Sequence, residues 1–305
     1  LEAEDVVINL LPRRRLTLGI HRVLGASAAR DVTVRTNALP LPGVSFFKRL
    51  RKLTPGKLLD FLISRPKVWY KLAPKPERII YGGAIYRPAP GETSRTVSAH
   101  ALDYDLFLEN PAPEQRENIA VFLDQCFPFH PDFQVLGRKS PVTEERYYPA
   151  LCKFFAELER ASGLKVVIAA HPRAPRDKDL FEGREAVHGQ SLELTRRAAL
   201  ALAHTSTAVN FAVMYNTPLL FLNTAELDPN EGETIRGIAK MLHAPCLNVD
   251  FLPPDWEGAL KSAPPPAEAY ADYLKRYIKE PGSPELPFWQ ILLDDLLAEN
   301  AREKA

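Results

Sequence analysis

The chain has 305 residues, which suits one large or two medium-sized domains. Hydrophobic residues make up 46% and charged residues 25%, which excludes an intrinsically disordered protein. No stretch approaches the roughly 20 apolar residues of a membrane-spanning helix. The formal net charge of +1 conceals an asymmetry: residues 1–75 hold 15 Lys and Arg against 5 Asp and Glu, whereas the remaining residues hold 24 against 33.

The three cysteines, Cys126, Cys152 and Cys246, are far apart and show no paired spacing. An odd and scattered set argues against a disulfide framework or a zinc site and favours buried thiols in a reducing compartment. The chain begins with Leu and carries no signal-peptide pattern. The cysteine pattern leads us to expect a cytoplasmic protein.

The first 110 residues show little regular pattern. Short strands are predicted at residues 32–34 and 78–81, the second followed by a Gly-Gly pair that indicates a tight turn. Between them, residues 46–53 and 56–63 are typical of short, basic amphipathic helices.

From about residue 115, buried strands alternate with helices. Continuous apolar runs predict the strands, and amphipathic stretches between them predict the helices. The strands are expected at residues 119–124, 165–170, 186–187, 199–204 and 218–222, and the helices at 143–162, 191–197, from 205–207 to about 215, and 234–242. This alternation is typical of βαβ units, so we predict an α/β fold with a parallel, doubly wound sheet.

The change in pattern also divides the chain. The predicted segments are a basic N-terminal domain at 1–112, a regular α/β domain at 113–265, and C-terminal helices at 266–305 that pack back across the domains. The Pro-rich stretch 111–113 is the expected linker. Residues 1–112 are barely enough for a complete N-terminal α/β domain, so we expect the first domain to be short or truncated.

Polar residues directly follow three of the predicted strands: Asp124-Gln125, His171-Pro172 and Thr205-Ser206-Thr207. Because ligands bind at the carboxyl ends of parallel strands, these three places should share one edge of the sheet. Thr205, Ser206 and Thr207 combine hydroxyls with the backbone N–H groups of a helix start, which suits a phosphate. The alternative is that one of these side chains only caps the helix.

Histidines add to the same edge. His171 follows a buried strand and precedes Arg173 and Arg176, so it could hydrogen-bond or charge-pair with a phosphate and assist its departure. His188 ends a shorter strand and could line the same cleft. A histidine at the end of a strand is also often structural, and that alternative stays open for both.

Several motifs are absent from the sequence. It contains no Gly-x-Gly-x-x-Gly, Walker A, His-Glu-x-x-His or Gly-x-Ser-x-Gly pattern. These absences disfavour a Rossmann dehydrogenase, a P-loop NTPase, a zinc protease and an α/β-hydrolase. Residues at metal-ligand spacing are also absent, so we expect phosphate binding without a Gly-rich loop, a metal or a cofactor.

The order of strand, His171-Pro172, strand, Ser206-Thr207 and helix resembles the nucleotide-binding half of bacterial GT-B-like glycosyltransferases that use CMP-activated sugars. These are the sialyltransferases, polysialyltransferases and Kdo transferases of capsule and lipopolysaccharide synthesis. In that group a His-Pro motif and a Ser-Ser/Thr motif hold the CMP phosphate, and the residues above match them. The resemblance covers about residues 115–225, and both motifs are short.

The resemblance implies two Rossmann-like domains, an acceptor-side domain followed by a domain that binds the nucleotide sugar. It also implies a catalytic carboxylate from the N-terminal domain, but the family's acidic pair followed by Gly has no convincing copy here. The nearest substitute is Asp103 with Asp105, either of which could deprotonate an acceptor hydroxyl. Asp124, Gln125 and His130 are alternatives that could contact the sugar or the acceptor. A structural role for the Asp pair stays open.

Residues 46–72 interleave aromatic and basic side chains, a combination that suits an anionic lipid surface at about 1 kcal/mol per basic residue. A solvated basic face with aromatics in the core is the alternative, and no nucleic-acid recognition motif accompanies the charge. The expected protein is therefore a metal-independent glycosyltransferase, cytoplasmic or peripheral on the inner membrane, acting on a glycan or lipid-linked glycan. A UDP-sugar transferase or epimerase of the same fold and a non-catalytic membrane-surface assembly protein are the competing hypotheses.

Overall fold

The computed structural model describes residues 2, 5–12, 15–37, 72–130, 133, 137, 139–261 and 266–303. The helices predicted at 46–53 and 56–63, and the basic and aromatic segment apart from Leu72, lie outside the described residues.

The described residues form two compact units. The first comprises those up to Asn37, residues 72–105 and those from Lys275 onward, and the second comprises Leu106–Leu274. The domain boundaries given above stay predictions, because compactness does not show that a unit folds by itself.

The strands and helices follow in chain order. The strands are β1 (Val6–Asn9), β2 (Arg30–Arg35), β3 (Arg78–Gly82), β4 (Arg95–Ala99), β5 (Glu117–Leu123), β6 (Lys165–Ala170), β7 (Ala186–His188), β8 (Ala198–Ala203), β9 (Leu219–Asn223) and β10 (Cys246–Asn248). The α-helices are α1 (Leu18–Ala26), α2 (Asp103–Glu109), α3 (Glu144–Ser162), α4 (Ser191–Arg197), α5 (Val209–Met214), α6 (Pro229–Met241), α7 (Ala267–Tyr273) and α8 (Phe288–Glu303).

Each unit is built on a parallel sheet. The first has the strand order β1-β2-β3-β4, and the second has the order β10-β9-β8-β5-β6-β7. In the second sheet the chain winds outward from β5 to β7 and then returns to β8 on the other side of β5. The predicted α/β architecture, two Rossmann-like units with a doubly wound parallel sheet in the second, is confirmed.

The expectation of an irregular first 110 residues was wrong, because four parallel strands lie there. Two of these strands gave no pattern in the sequence. β1 alternates between exposed and less exposed positions, and β4 is only partly buried along its length. The apolar run of β1 covers only Val6, Val7 and Ile8, and β4 is RTVSA, so neither contains the longer continuous apolar run that marks a buried strand.

One helix begins earlier than expected, and another ends in a π-helical turn. α6 begins at Pro229 and not at residue 234, because the Asp228 side chain accepts the Asn230 amide at 2.8 Å and so caps an earlier start. α7 ends at Tyr273 and continues as a π-helical turn, Leu274–Ile278.

A helix from the end of the chain covers the first sheet. Phe288, Ile291 and Leu292 of α8 pack on β2, β3 and β4, and Phe288 has no exposed surface. Burial of side chains of this size stabilises a fold by about 1.5–3 kcal/mol each. The first unit is therefore completed by residues that lie more than 180 positions after its last strand.

A buried arginine cluster lies beside this core. Arg78 at the start of β3 is fully buried, and its Nε lies 2.9 Å from Oδ2 of Asp295 on α8. Glu299, one turn further along α8, forms ion pairs with Arg78, Arg30 and Arg95. A fully buried guanidinium is stable only when paired, so α8 supplies the charge that lets Arg78 occupy this position.

The Gly-Gly pair after the second predicted strand has two separate explanations. Gly83 has φ of 86° and begins the turn that leads into a short 3₁₀ helix. Gly82 ends β3, and a Cβ there would lie 2.2 Å from the carbonyl carbon of His100. The turn therefore requires Gly83, and the close approach of the backbone after β4 requires Gly82.

Candidate nucleotide-binding site

The candidate site lies where the winding of the second sheet reverses. β5 is hydrogen-bonded to β6 on one side and to β8 on the other, and all three strands run parallel. Their carboxyl ends therefore meet at one edge, as expected from the sequence. In an open α/β sheet this reversal point is the place where ligands bind.

Asp124 directly follows β5 and is 4% exposed. Its Oδ1 accepts the Cys126 amide at 2.8 Å, whereas Oδ2 is buried without a hydrogen-bond partner. Burial raises the pKa of Asp124 to about 6, against the lowering effect of the Cys126 and His171 amides. These contacts favour a structural role for Asp124 in the loop that follows β5. Its predicted contact with the sugar or the acceptor stays a prediction.

Gln125 reaches across to the loop after β8. Its Oε1 accepts the Thr205 amide at 2.6 Å and lies 3.1 Å from the Thr205 Oγ1, while its Nε2 donates to the same Oγ1 at 3.0 Å. Thr205 is 6% exposed. The two side chains therefore join the ends of β5 and β8.

Ser206 and Thr207 follow in a turn before α5. The expectation that residues 205–207 open the helix was wrong, since α5 begins at Val209. The Ser206 Oγ accepts the Ala208 amide at 3.2 Å, and the Ser206 carbonyl accepts the Val209 amide. Ser206 is half-buried and Thr207 is exposed, so both hydroxyls lie near the surface of the sheet edge.

His171 lies half-buried at the end of β6. Its Nδ1 accepts the Arg173 amide at 3.2 Å, so the neutral ring carries its proton on Nε2. The His130 ring lies 5.1 Å away, centroid to centroid. Pro172, Arg173 and Arg176 are exposed. The structure thus brings together two histidines that are 41 residues apart in the sequence.

His188 lies on the same edge, since it is paired with Ala170 in the register of β7 with β6. Its Nε2 is buried without a hydrogen-bond partner. The position agrees with the expected cleft lining, and a contact with nucleotide stays a prediction.

His204 lies beneath the edge and has no exposed surface. Its Nδ1 lies 2.6 Å from the Leu222 carbonyl, and its Nε2 lies 2.9 Å from the Tyr147 hydroxyl. Burial lowers the pKa of His204 to about 4, against the raising effect of the Leu222 carbonyl. The ring is therefore neutral, with Nδ1 donating to Leu222 and Nε2 accepting from Tyr147. Nothing in the sequence pointed to Tyr147, because it is 57 residues away.

The predicted carboxylates Asp103 and Asp105 lie in the first turn of α2, in the first unit. Asp105 accepts the Phe288 amide at 2.8 Å and lies 3.7 Å from the Nε2 of buried His100. Asp105 therefore satisfies a backbone donor at the start of α8. The catalytic role of either carboxylate stays a prediction.

Within the described residues, no three His, Cys, Asp or Glu side chains group so as to hold a metal ion. Among the helices of these same residues, none combines the length and apolar character needed to cross a bilayer.

Solved glycosyltransferase structures resemble the chain. The spinosyn forosaminyltransferase SpnP matches with a TM-score of 0.48 and 18% identity, over 91% of this chain and 72% of that chain. The calicheamicin glycosyltransferase CalG4 matches with 0.46 and 15%, over 91% and 71%. MurG of Acinetobacter baumannii matches with 0.40 and 10%, over 95% and 72%.

None of these three is described as a sialyltransferase or Kdo transferase. No protein-family model matches the chain, and no curated protein matches it by sequence. At TM-scores below 0.5, the function of this chain has to be argued from its own residues.

Proposed function

We propose that this protein is a glycosyltransferase that takes a sugar from a nucleotide-activated donor. The observation that carries the proposal is that His171 follows β6, and Ser206 and Thr207 follow β8, the two strands that flank β5 at the reversal point of the second sheet. An imidazole N–H and two hydroxyls at the ends of parallel strands suit a phosphate group. The exposed Arg173 and Arg176 add positive charge beside it.

The chemistry at this site is the stabilisation of a leaving nucleotide phosphate. As the bond between sugar and phosphate breaks, negative charge grows on the phosphate oxygens. Donors that are held in place before the reaction stabilise that charge without having to reorganise. In the neutral form of the His171 ring, the Arg173 amide at Nδ1 leaves the proton on Nε2, which makes that nitrogen a donor.

We further propose that the donor is a CMP-activated sugar of the sialic acid or Kdo type, on the strength of the His-Pro and Ser-Thr motifs. The acceptor would be a bacterial surface glycan or a lipid-linked glycan, and the protein would work in the cytoplasm or at the inner face of the inner membrane. Asp103 and Asp105 are the proposed bases. Asp103→Asn is the cleaner test, because Asp105→Asn would also disturb the Phe288 amide at the start of α8.

Isothermal titration of the full chain with CMP, CDP, UDP and ADP tests the site. We expect binding, tightest for CMP, and a loss of about tenfold in affinity for His171→Ala and for Ser206→Ala, as each removes a hydrogen bond to a charged group. His243→Asn is the matched control. His243 is an exposed histidine between α6 and β10, at the opposite edge of the sheet, and its φ of 49° suits Asn.

The outcomes are distinct. If the wild-type protein binds none of the four nucleotides, the proposed function is overturned. Tighter binding of UDP would replace the CMP-sugar donor by a UDP-sugar. Unchanged affinity in both variants would remove His171 and Ser206 from the site, as the non-catalytic assembly hypothesis requires.

A further inference from the structure

Gln125 and Thr205 form hydrogen bonds with each other through their polar groups. The Gln125 Oε1 accepts the Thr205 amide, and both ends of the Gln125 amide group meet the Thr205 Oγ1, at distances of 2.6, 3.0 and 3.1 Å. The two residues are 80 positions apart, and Thr205 is almost fully buried. Side chains paired in this way are poor candidates for direct contact with a ligand.

The rest of the loop after β8 is held by short-range contacts. The Ser206 Oγ accepts the Ala208 amide, and backbone turns join Ser206 to Val209 and Thr207 to Asn210. The following helix α5 has only six residues. These short-range contacts shape the loop without joining Ser206 or Thr207 to β5 or β6. The start of α5 is anchored separately, since the Asn210 Oδ1 accepts the Tyr273 hydroxyl at 2.9 Å.

We propose that Gln125 is a positioning residue, which acts through Thr205 to hold the hydroxyls of Ser206 and Thr207 where the donor phosphate binds. β5 lies between β6 and β8, so a side chain at its end can fix the loop after β8 relative to His171 after β6. The inference rests on the proposed function, and it replaces the sugar contact expected for Gln125 and the phosphate contact expected for Thr205.

Three variants separate the contacts. Gln125→Met keeps the length of the side chain and removes all three hydrogen bonds. Thr205→Val removes the hydroxyl and keeps the amide contact, whereas Thr205→Ser keeps both. The loop after β8 should therefore be displaced most in Gln125→Met, less in Thr205→Val and little in Thr205→Ser.

The decisive measurement compares a nucleotide with its nucleoside. For each variant, affinities are measured for CMP and cytidine, or for UDP and uridine if the wild-type protein binds UDP more tightly. Gln125→Met should weaken nucleotide binding by about tenfold, the effect of one or two lost hydrogen bonds, and leave nucleoside binding unchanged. Equal weakening of both would show general damage to the unit and overturn the positioning role.

Hydrogen exchange gives a second readout that needs no ligand. The amides of Thr205, Ala208 and Val209, which donate hydrogen bonds in this loop, should exchange about tenfold faster in Gln125→Met than in the wild-type protein, since the loop has lost its link to β5. Unchanged exchange would overturn the inference even where nucleotide binding falls. If the wild-type protein binds no nucleotide, the proposed function fails, and exchange at these amides still decides whether Gln125 holds the loop.

Discussion

Replacing Asp124 by Asn should change how the stability of the protein depends on pH. Asp124 is buried, one of its oxygens accepts the Cys126 amide, and the other has no hydrogen-bond partner. An Asn side chain has the same shape and can keep the contact with the Cys126 amide. The substitution therefore removes a titrating group with little change in packing.

The magnitude follows from the raised pKa of Asp124. Between the ordinary value of 3.8 and about 6, the folded protein keeps a proton that the unfolded chain has released, so stability falls as pH rises through that window. A rise of about two pKa units corresponds to about 3 kcal/mol. Above pH 6 the wild-type protein carries this cost, and Asp124→Asn does not.

Urea unfolding of both proteins at pH 4, 5, 6, 7 and 8 measures the effect. The variant minus wild-type difference in the free energy of unfolding should increase by most of this amount of about 3 kcal/mol between pH 4 and pH 7 and then level off. Contributions from groups that do not interact with Asp124 cancel in this difference. A difference that stays flat, or that decreases with pH, would refute the claim that burial destabilises the ionised Asp124 carboxylate by more than its amide contacts stabilise it.

Three further substitutions test the fold. Arg116→Met should lower the free energy of unfolding by about 3 kcal/mol in urea titrations, because the guanidinium makes four hydrogen bonds, three of them to backbone carbonyls. Glu299→Gln should cost about 2 kcal/mol at pH 7, since Glu299 pairs with buried Arg78. Burial raises the pKa of Glu299, but the hydrogen bond and charge of Arg78 and the charges of Arg30 and Arg95 lower it by more, so the net shift is downward. The difference in stability between variant and wild type should therefore vanish as pH falls through that lowered pKa. A difference that stays constant with pH would contradict this. Gly82→Ala should lower the melting temperature, because its Cβ would lie 2.2 Å from backbone that follows β4, whereas Gly19→Ala in α1 meets nothing within 4 Å and should not lower it.

Much of the second unit could be predicted from local sequence. β5, β6, β8 and β9 contain continuous apolar runs, because both faces of a central parallel strand are buried. The polar residues after three of these strands then had to meet at one edge, because parallel strands end on the same side. That reasoning placed His171, Ser206 and Thr207 at the same edge of the sheet without any knowledge of tertiary contacts.

The sequence by itself determined the parallel sheet of the second unit and the edge that carries the candidate site, because both follow from patterns within a few residues. Only the tertiary structure decided which distant residues pair, both at that edge and within the first unit. Gln125 meets Thr205 80 residues away, Asp105 meets Phe288 183 residues away, and Arg78 meets Glu299 221 residues away. These contacts leave no local pattern, since a partner that far along the chain is selected by packing and charge in the folded state.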